Sequence, residues 1–279
     1  MVLNKKPDES VANYCHRFQP PFLPRIWKQV NSEVWALIQD KEDCEGVGKI
    51  FEILGLNIPE ISMTNSDYKS ERLVEFHQLP TTLKNIIEYI AYEISIPIPD
   101  IHIDNNLDAP ALGKFKNNMS LFVPVDFMDQ NDPFKISAIL VPLLASYWTG
   151  RALPGILSAE DLLTILKTLL DFLSSKKSTT NNQLLMQELN KTSKQVKKEL
   201  GRAFKSVSAE KGNINISKWA RGVNRSSQNL NLLLTQNLSA VYNSINNKTD
   251  QSHLLRYAVS ERFLELRKLV GCSIHVPLQ

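Results

Sequence analysis

The most apolar part of the chain is the uncharged run from Ile136 to Gly150, which is 15 residues long. A helix that crosses a membrane needs roughly 20 apolar residues, and Pro142 and Ser146 interrupt this run. A buried helix in the core of a globular protein fits the length better. We therefore expect a central core helix here, kinked at Pro142 because proline cannot donate the helical hydrogen bond.

Apolar residues recur at helical spacing in much of the remaining chain. Segment 79–95 places most of its leucine and isoleucine side chains on one face. Ser158, with Asp161 three residues later, has the pattern of a capping box at a helix start. The same spacing predicts helical structure in segments 26–39, 158–175, 183–208, 213–245 and 251–274, and the fourth of these helical patterns is expected to begin at Ser217.

Alternating apolar and polar residues predict a small sheet in the middle of the chain. One strand is expected in segment 96–104, and two more in segments 109–115 and 118–127, with a turn at 116–118 between them. Segment 60–63 is a candidate short strand. The sequence therefore favours a mainly helical α+β fold, with a small antiparallel or mixed sheet packed on the central apolar helix.

Length and composition describe a globular chain with a sizeable core. The chain has 279 residues, of which 43% are hydrophobic. It divides into an N-terminal helical segment over 1–75 and an α+β domain over 76–279, or it forms one continuous domain. The net charge of +3 is too small to indicate a polyanionic partner by itself.

Cysteine usage and the N-terminal sequence favour a cytoplasmic protein. Cys15, Cys44 and Cys272 are odd in number and form no CxxC pair, which argues against a disulfide framework. The first residues contain two lysines without a following apolar core, so no secretory signal is expected. Export by a route that uses another signal stays open.

Residues 82–151 resemble the core of a gluzincin-type zincin metallopeptidase, which has a helix, a small sheet and a central apolar helix in the same order. More narrowly, the chain is similar to uncharacterised bacterial proteins with a degenerate zincin-like domain, often attached to helical-repeat proteins. The matching phrases include "LKNIIEYIAYEISIPIPDIHID", "ALGKFKNNMSLFVPVDFM" and "ISKWARGVNRSSQNLNLLLTQNLSAV". The resemblance covers about residues 75 to 271.

In working zincins the central helix carries H-E-x-x-H, whose histidines bind zinc and whose glutamate activates water. The resemblance places these positions at Pro142, Leu143 and Ser146, and the third ligand at Asn224. None of these side chains is an imidazole, a carboxylate or a thiolate, the groups that bind zinc in proteins. The resemblance therefore implies a former active-site helix that is now apolar core, with no metal, no cofactor and no metallopeptidase activity.

Other candidate sites are each outweighed by a structural interpretation. His102 and Asp104 are two residues apart and so share one face of a strand, but a metal would need further ligands. The segment Glu45–Lys49 lacks the full phosphate-binding loop. The three cysteines are expected to be structural or idle thiols, and no nucleophile motif is present.

Charge is unevenly distributed along the chain. Residues 181–225 contain ten Lys or Arg and three Glu, whereas residues 1–180 contain 17 basic and 23 acidic residues. The pattern of the basic segment predicts that its charge is distributed around a helix, and the segment lacks the interleaved aromatic residues that stack on bases. A solvated helix face is the favoured interpretation, and neither nucleic-acid binding nor membrane insertion is expected.

The resemblance implies a non-catalytic protein-binding or scaffolding function on a degenerate zincin-like fold. A sheet edge beside the former cleft could take up an extended peptide by strand addition, and the strand Met119–Pro124 is the expected edge, with Met119, Leu121 and Val123 as binding residues beside His102 and Asp104. Two alternatives stay open. One is an enzyme with an unrecognised non-metal site, and the other is a basic-helix adaptor for nucleic acid or an anionic membrane.

Overall fold

The computed structural model describes residues 26, 28–43, 45–57, 72–115, 118–148, 157–174, 182–210 and 215–272. These residues form a mainly helical α+β fold with one mixed sheet of four strands, as the order of patterns predicted. The candidate strand at 60–63, the turn residues Lys116 and Asn117, and Cys15 and Cys44 lie outside the described residues.

The helices and strands of the described chain are numbered in chain order. The helices are α1 (Ser32–Ile38), α2 (Glu45–Asn57), α3 (Thr81–Glu93), α4 (Val125–Met128), α5 (Pro133–Trp148), α6 (Ala159–Leu173), α7 (Gln183–Lys191), α8 (Lys194–Glu210), α9 (Ile216–Thr235), α10 (Leu238–Asn243), α11 (Lys248–Ala258) and α12 (Glu261–Leu269). The strands are β1 (Arg72–Val74), β2 (Asp100–Ile103), β3 (Ala111–Phe115) and β4 (Asn118–Val123).

The four strands lie in the order β1-β2-β4-β3. The inner strands β2 and β4 are parallel, and each is antiparallel to its outer neighbour. The predicted hairpin of β3 and β4 is confirmed, with Phe115 opposite Asn118. The second of these strands is shorter than expected because Pro124, which cannot donate to the ladder, is followed by the short helix α4.

The expected core helix is α5, which packs against α9, α3 and the sheet. Ile136, Leu140, Val141 and Leu144 are fully buried, so the interpretation of this segment as core is confirmed. Helix α5 continues through Pro142.

Several predicted helices are shorter than their apolar patterns. Segment 183–208 is divided between α7 and α8, and segment 213–245 is divided at Gln236, which has the left-handed φ of 49°. The predicted helix over 26–39 begins only at Ser32, because the side chain of Asn31 accepts a hydrogen bond from the backbone N–H of Val34. The capping box of Ser158 and Asp161 is present as predicted.

Two apolar clusters make up the core of the described chain. One contains the sheet, α3, α5 and the C-terminal helices, and the other contains α2 and α6 to α8. Helix α9 contributes to both, with Trp219 in the second cluster and Leu233 in the first. Since α1 packs in one cluster and α2 in the other, the division of the core does not follow a boundary at residue 75.

Candidate functional site

The positions that correspond to the zincin ligands carry no convergent polar groups. Pro142, Leu143 and Ser146 are half-buried on α5, and the Ser146 hydroxyl donates to the carbonyl oxygen of Leu143 at 2.6 Å. Asn224 is exposed on α9. Among the residues that the structure describes, no three His, Cys, Asp or Glu side chains are grouped so that they could hold a metal ion.

A buried polar network joins α5 to α9, so the central helix is not purely apolar core as expected. The Asn231 side-chain nitrogen donates to the carbonyl oxygen of Ala138 at 2.8 Å. The Thr235 hydroxyl lies 2.8 Å from the Asn231 amide oxygen and 3.1 Å from the Ser137 hydroxyl. Ser137, Asn231 and Thr235 are fully buried, and their groups are used to hold the two helices together.

His102 and Asp104 are enclosed by the protein, with only 1% and 2% of their surfaces exposed. The His102 ring stacks on Phe122, with centroids 5.2 Å apart. Burial lowers the pKa of His102 although the nearby Asp100 acts to raise it, so the neutral imidazole is favoured. One Asp104 carboxylate oxygen accepts hydrogen bonds from the backbone and side chain of Asn106 at 2.9 and 3.1 Å, which shapes the turn after β2.

The expectation that residues 119–124 form the edge of the sheet is wrong. Met119, Leu121 and Val123 lie on β4, which pairs with β2 on one side and β3 on the other. The side chains of Leu121 and Val123 are fully buried in the apolar core. A strand whose two edges are both paired cannot accept a further strand, so β4 is not the edge at which a peptide could add.

The sheet instead ends at β1 and β3, and the two edges differ in exposure. Leu112 in the middle of β3 is only 4% exposed, whereas Leu73 in the middle of β1 is 57% exposed. Arg72 is also exposed. Within the described chain, β1 is therefore the outer strand with the more exposed side chains.

Sequence reasoning missed a polar cluster around the loop of residues 40–43, which joins α1 to α2. This loop packs against α9 at Gly222. A Cβ atom at Gly222 would lie 2.4 Å from the backbone nitrogen of Asp43 and 2.4 Å from the carbonyl carbon of Glu42. Only a residue without a side chain allows the loop and the helix to approach so closely.

Ser226, one turn further along α9, fixes the ends of this loop. Its fully buried hydroxyl accepts a hydrogen bond from the backbone N–H of Asp40 at 2.8 Å. The same hydroxyl lies 2.8 Å from a carboxylate oxygen of Asp43 and 3.0 Å from the carbonyl oxygen of Gly222. Both ends of the loop are thereby joined to a single side chain.

Ionic contacts surround the loop. The Arg225 guanidinium lies 3.0 Å from Asp250 and 3.4 Å from Glu42. His253 Nε2 lies 3.4 Å from an Asp40 carboxylate oxygen. Burial lowers the pKa of His253, and Arg225 acts in the same direction, although Asp40 acts to raise it.

The cluster contains serine, histidine and aspartate, but its geometry is not that of a nucleophilic site. In the described structure His253 contacts Asp40 rather than Ser226, and Ser226 is fully buried. The groups hold the loop on α9 instead. The sequence signal that could have indicated this is the row of small and polar residues at helical spacing in α9, namely Gly222, Arg225, Ser226 and Asn229.

A cavity of about 210 Å³ lies beside the end of α9, with Arg267 and Cys272 among its lining residues. Ligand pockets usually have about 300–1,000 Å³. The Gln236 side chain donates to the Cys272 sulfur at 3.1 Å, and the Arg267 guanidinium donates to the Cys272 carbonyl oxygen at 2.9 Å. Burial raises the pKa of the Cys272 thiol despite these contacts, which disfavours a nucleophilic thiolate.

No family model, curated protein or solved structure matches this chain. The resemblance to zincins therefore stays a prediction. None of the helices in the described ranges combines the length and the apolar character needed to cross a bilayer.

Proposed function

We propose that the chain is a non-catalytic protein that binds or scaffolds other proteins. The positions that would carry zinc chemistry in the resembled family hold Pro142, Leu143, Ser146 and Asn224. The buried polar groups found near them on α5 and α9 are engaged in contacts between helices. These groups hold α5 and α9 together, so they contribute to packing of the chain itself rather than to chemistry.

The exposed edge of β1 is the observation that carries the proposal. Strand β1 pairs with β2 on one side, and no described residue forms a backbone hydrogen bond with Arg72, Leu73 or Val74 on the other side. An extended peptide adds a strand at such an edge through main-chain hydrogen bonds. The exposed Leu73 side chain offers a contact for one apolar residue of the peptide.

The proposal is tested by titrating a library of extended peptides and measuring amide hydrogen exchange at Arg72–Val74. We expect at least one peptide to bind with a Kd below about 1 mM and to slow exchange at these residues. Leu73→Asp should abolish this binding. Leu264→Asp is the matched control, because Leu264 is a similarly exposed leucine (49%) on α12.

Three results would contradict the proposal. One is a library without any binder in that range, and another is equal loss of binding in both leucine variants. The third is stoichiometric zinc in the purified protein, which would contradict the non-catalytic part directly. Metal analysis by mass spectrometry separates this last outcome from the peptide result.

A further inference from the structure

Four basic side chains form a single row along α8. Lys194, Lys198, Arg202 and Lys205 are all exposed. At about 100° per residue they fall within an arc of about 80°, and the row extends about 16 Å along the helix axis. The sequence-based interpretation that the charge is distributed around this helix is therefore wrong for these residues, which we call the basic row.

Neighbouring acidic groups do not neutralise the basic row. Glu188 pairs with Lys191 at 2.6 Å, and Glu199 accepts a hydrogen bond from Gln195 at 3.2 Å. Lys197, which lies beside the row, contacts the carbonyl oxygen of Asn190. No ion pair joins a member of the row to an acidic residue within the described ranges. Within the part of the chain that the structure describes, the row thus presents four exposed positive charges without an ion pair.

The opposite face of α8 is already occupied. Leu200, Ala203 and Val207 are buried in the second apolar cluster. Helix α8 approaches α2 so closely that a Cβ atom at Gly46 would lie 2.6 Å from a methyl carbon of Val207. An amphipathic helix that binds a membrane inserts its apolar face into the lipid, and that face of α8 is not available.

The partner that complements the exposed positive charges of the basic row is a polyanion that is recognised through its charge. The phosphate backbone of a nucleic-acid duplex carries about one negative charge per 1.7 Å of axis, so it supplies several phosphates along the length of the row. Phe204 is half-buried and turned towards the core side of α8, so it offers no platform for an unpaired base. This combination favours contacts with the phosphates of a duplex without sequence readout.

We propose that the basic row is a docking surface for the phosphate backbone of double-stranded nucleic acid. Lys194, Lys198, Arg202 and Lys205 each contact a phosphate, and binding is independent of base sequence. The segment 181–225 that contains the row has ten Lys or Arg and three Glu, so the local charge along the sequence favours a polyanion here. This activity is separate from peptide uptake at β1.

The test is fluorescence anisotropy with the full chain and a labelled DNA duplex of random sequence, at 50 to 200 mM salt. We expect a Kd of about 1–100 μM near physiological salt and a slope of log K against log salt near −3.6, about −0.9 per phosphate contact. The variant with all four residues changed to Gln should bind at least about tenfold more weakly at 50 mM salt. Gln is nearly equal to Lys and Arg in helix propensity, so α8 is retained.

The matched control changes Lys41, Lys167, Lys248 and Lys268 to Gln. These lysines are exposed elsewhere on the chain, and both variants lose the same four charges. The control should stay within about threefold of the unchanged protein, and each single substitution in the basic row should reduce the salt slope by about 0.9. Circular dichroism melting establishes that both variants are folded.

Other outcomes would overturn the inference. Equal weakening in both variants would indicate an effect of net charge alone. Salt-independent binding, or no binding at 50 mM salt, would contradict the proposed contacts with phosphates. Tighter binding to vesicles of phosphatidylserine than to the duplex would assign the basic row to an anionic membrane instead.

Discussion

The side chain of Asn231 donates a hydrogen bond to the Ala138 carbonyl oxygen, which receives no helical hydrogen bond from Pro142. Pro142 has no N–H to donate to the carbonyl oxygen of Ala138 four residues earlier. The Asn231 amide, which comes from α9, donates to that oxygen at 2.8 Å. A buried carbonyl without a partner destabilises a fold, so Asn231 makes the proline tolerable at the centre of the core.

This relationship predicts coupling between the two positions. Asn231→Ala should lower the free energy of unfolding by about 1–3 kcal/mol. In a Pro142→Ala background the backbone N–H at position 142 can donate to the Ala138 carbonyl oxygen. The loss of unfolding free energy caused by Asn231→Ala should then be smaller by about 0.5 kcal/mol or more. Urea denaturation of the four proteins gives the coupling energy.

Asn229→Ala is the matched control for this cycle. Asn229 is another buried asparagine of α9, but its amide donates to the carbonyl oxygen of Ile38 at 2.8 Å. The loss of unfolding free energy caused by Asn229→Ala should be the same with and without the Pro142→Ala substitution. Additive behaviour of Asn231 with Pro142 would contradict the compensation.

Gly222→Ala is expected to destabilise the protein. The added methyl group would meet the backbone of the 40–43 loop at 2.4 Å, and overpacking of this kind costs about 1–3 kcal/mol. Gly201→Ala on α8 is the control, because a Cβ atom there has no atom within 4 Å. It should stabilise by about 0.5–1 kcal/mol through helix propensity. Thermal melting compares the two, and similar effects at both sites would contradict the close approach.

Ser226→Ala should be more damaging than Ser227→Ala on the same helix. The first substitution removes the acceptor of the Asp40 N–H and leaves that buried donor unpaired, at a cost of about 1–3 kcal/mol. Among the described residues, the Ser227 hydroxyl bonds only to the carbonyl oxygen of Val223, one turn back on its own helix. Chemical denaturation measures both. Equal costs would show that Ser226 does not fix the loop.

Stability is expected to fall as the solution becomes acidic. Burial lowers the pKa of His253 below 6.5 in the folded chain. The unfolded chain therefore binds more protons below about pH 6.5, and the free energy of unfolding decreases with decreasing pH until the folded histidine also titrates. His253→Gln should reduce the pH dependence of the free energy of unfolding. The contribution of His102, whose pKa is also lowered by burial, should remain.

Urea denaturation at pH 8 and pH 5 is the appropriate comparison. At pH 8 both histidines are neutral in either state, so the difference between the unchanged protein and His253→Gln measures packing alone. The difference at pH 5 adds the proton linkage. An identical loss of stability between pH 8 and pH 5 in both proteins would contradict the role of His253.

Local patterns were sufficient for those parts of the fold that depend on neighbours in sequence. The core position of α5, the capping box at Ser158 and the hairpin of β3 and β4 were all predicted correctly. The breaks near Ser193 and Gln236 were not, because the apolar spacing continues in phase across them. Helix length was therefore overestimated where a short break preserves the pattern.

The candidate site was harder to predict because it depends on distant contacts. The placement of β4 at an edge was wrong, although the continuous apolar run Leu121–Val123 is typical of a strand that is buried on both faces. The polar cluster joins Asp40 to Ser226 across 186 residues, and periodicity carries no information at that distance. The basic row lies inside the predicted helix over 183–208, and its spacing of four, four and three residues could have been recognised from the sequence.

Helix α9 belongs to both apolar clusters, and this has a thermodynamic consequence. Because the single helix α9 packs in both clusters, unfolding of one cluster by heat or denaturant also removes packing contacts from the other. We therefore expect that neither apolar cluster remains folded after the other has unfolded. We expect one cooperative melting transition for the whole assembly of helices, with no temperature at which half of it persists alone.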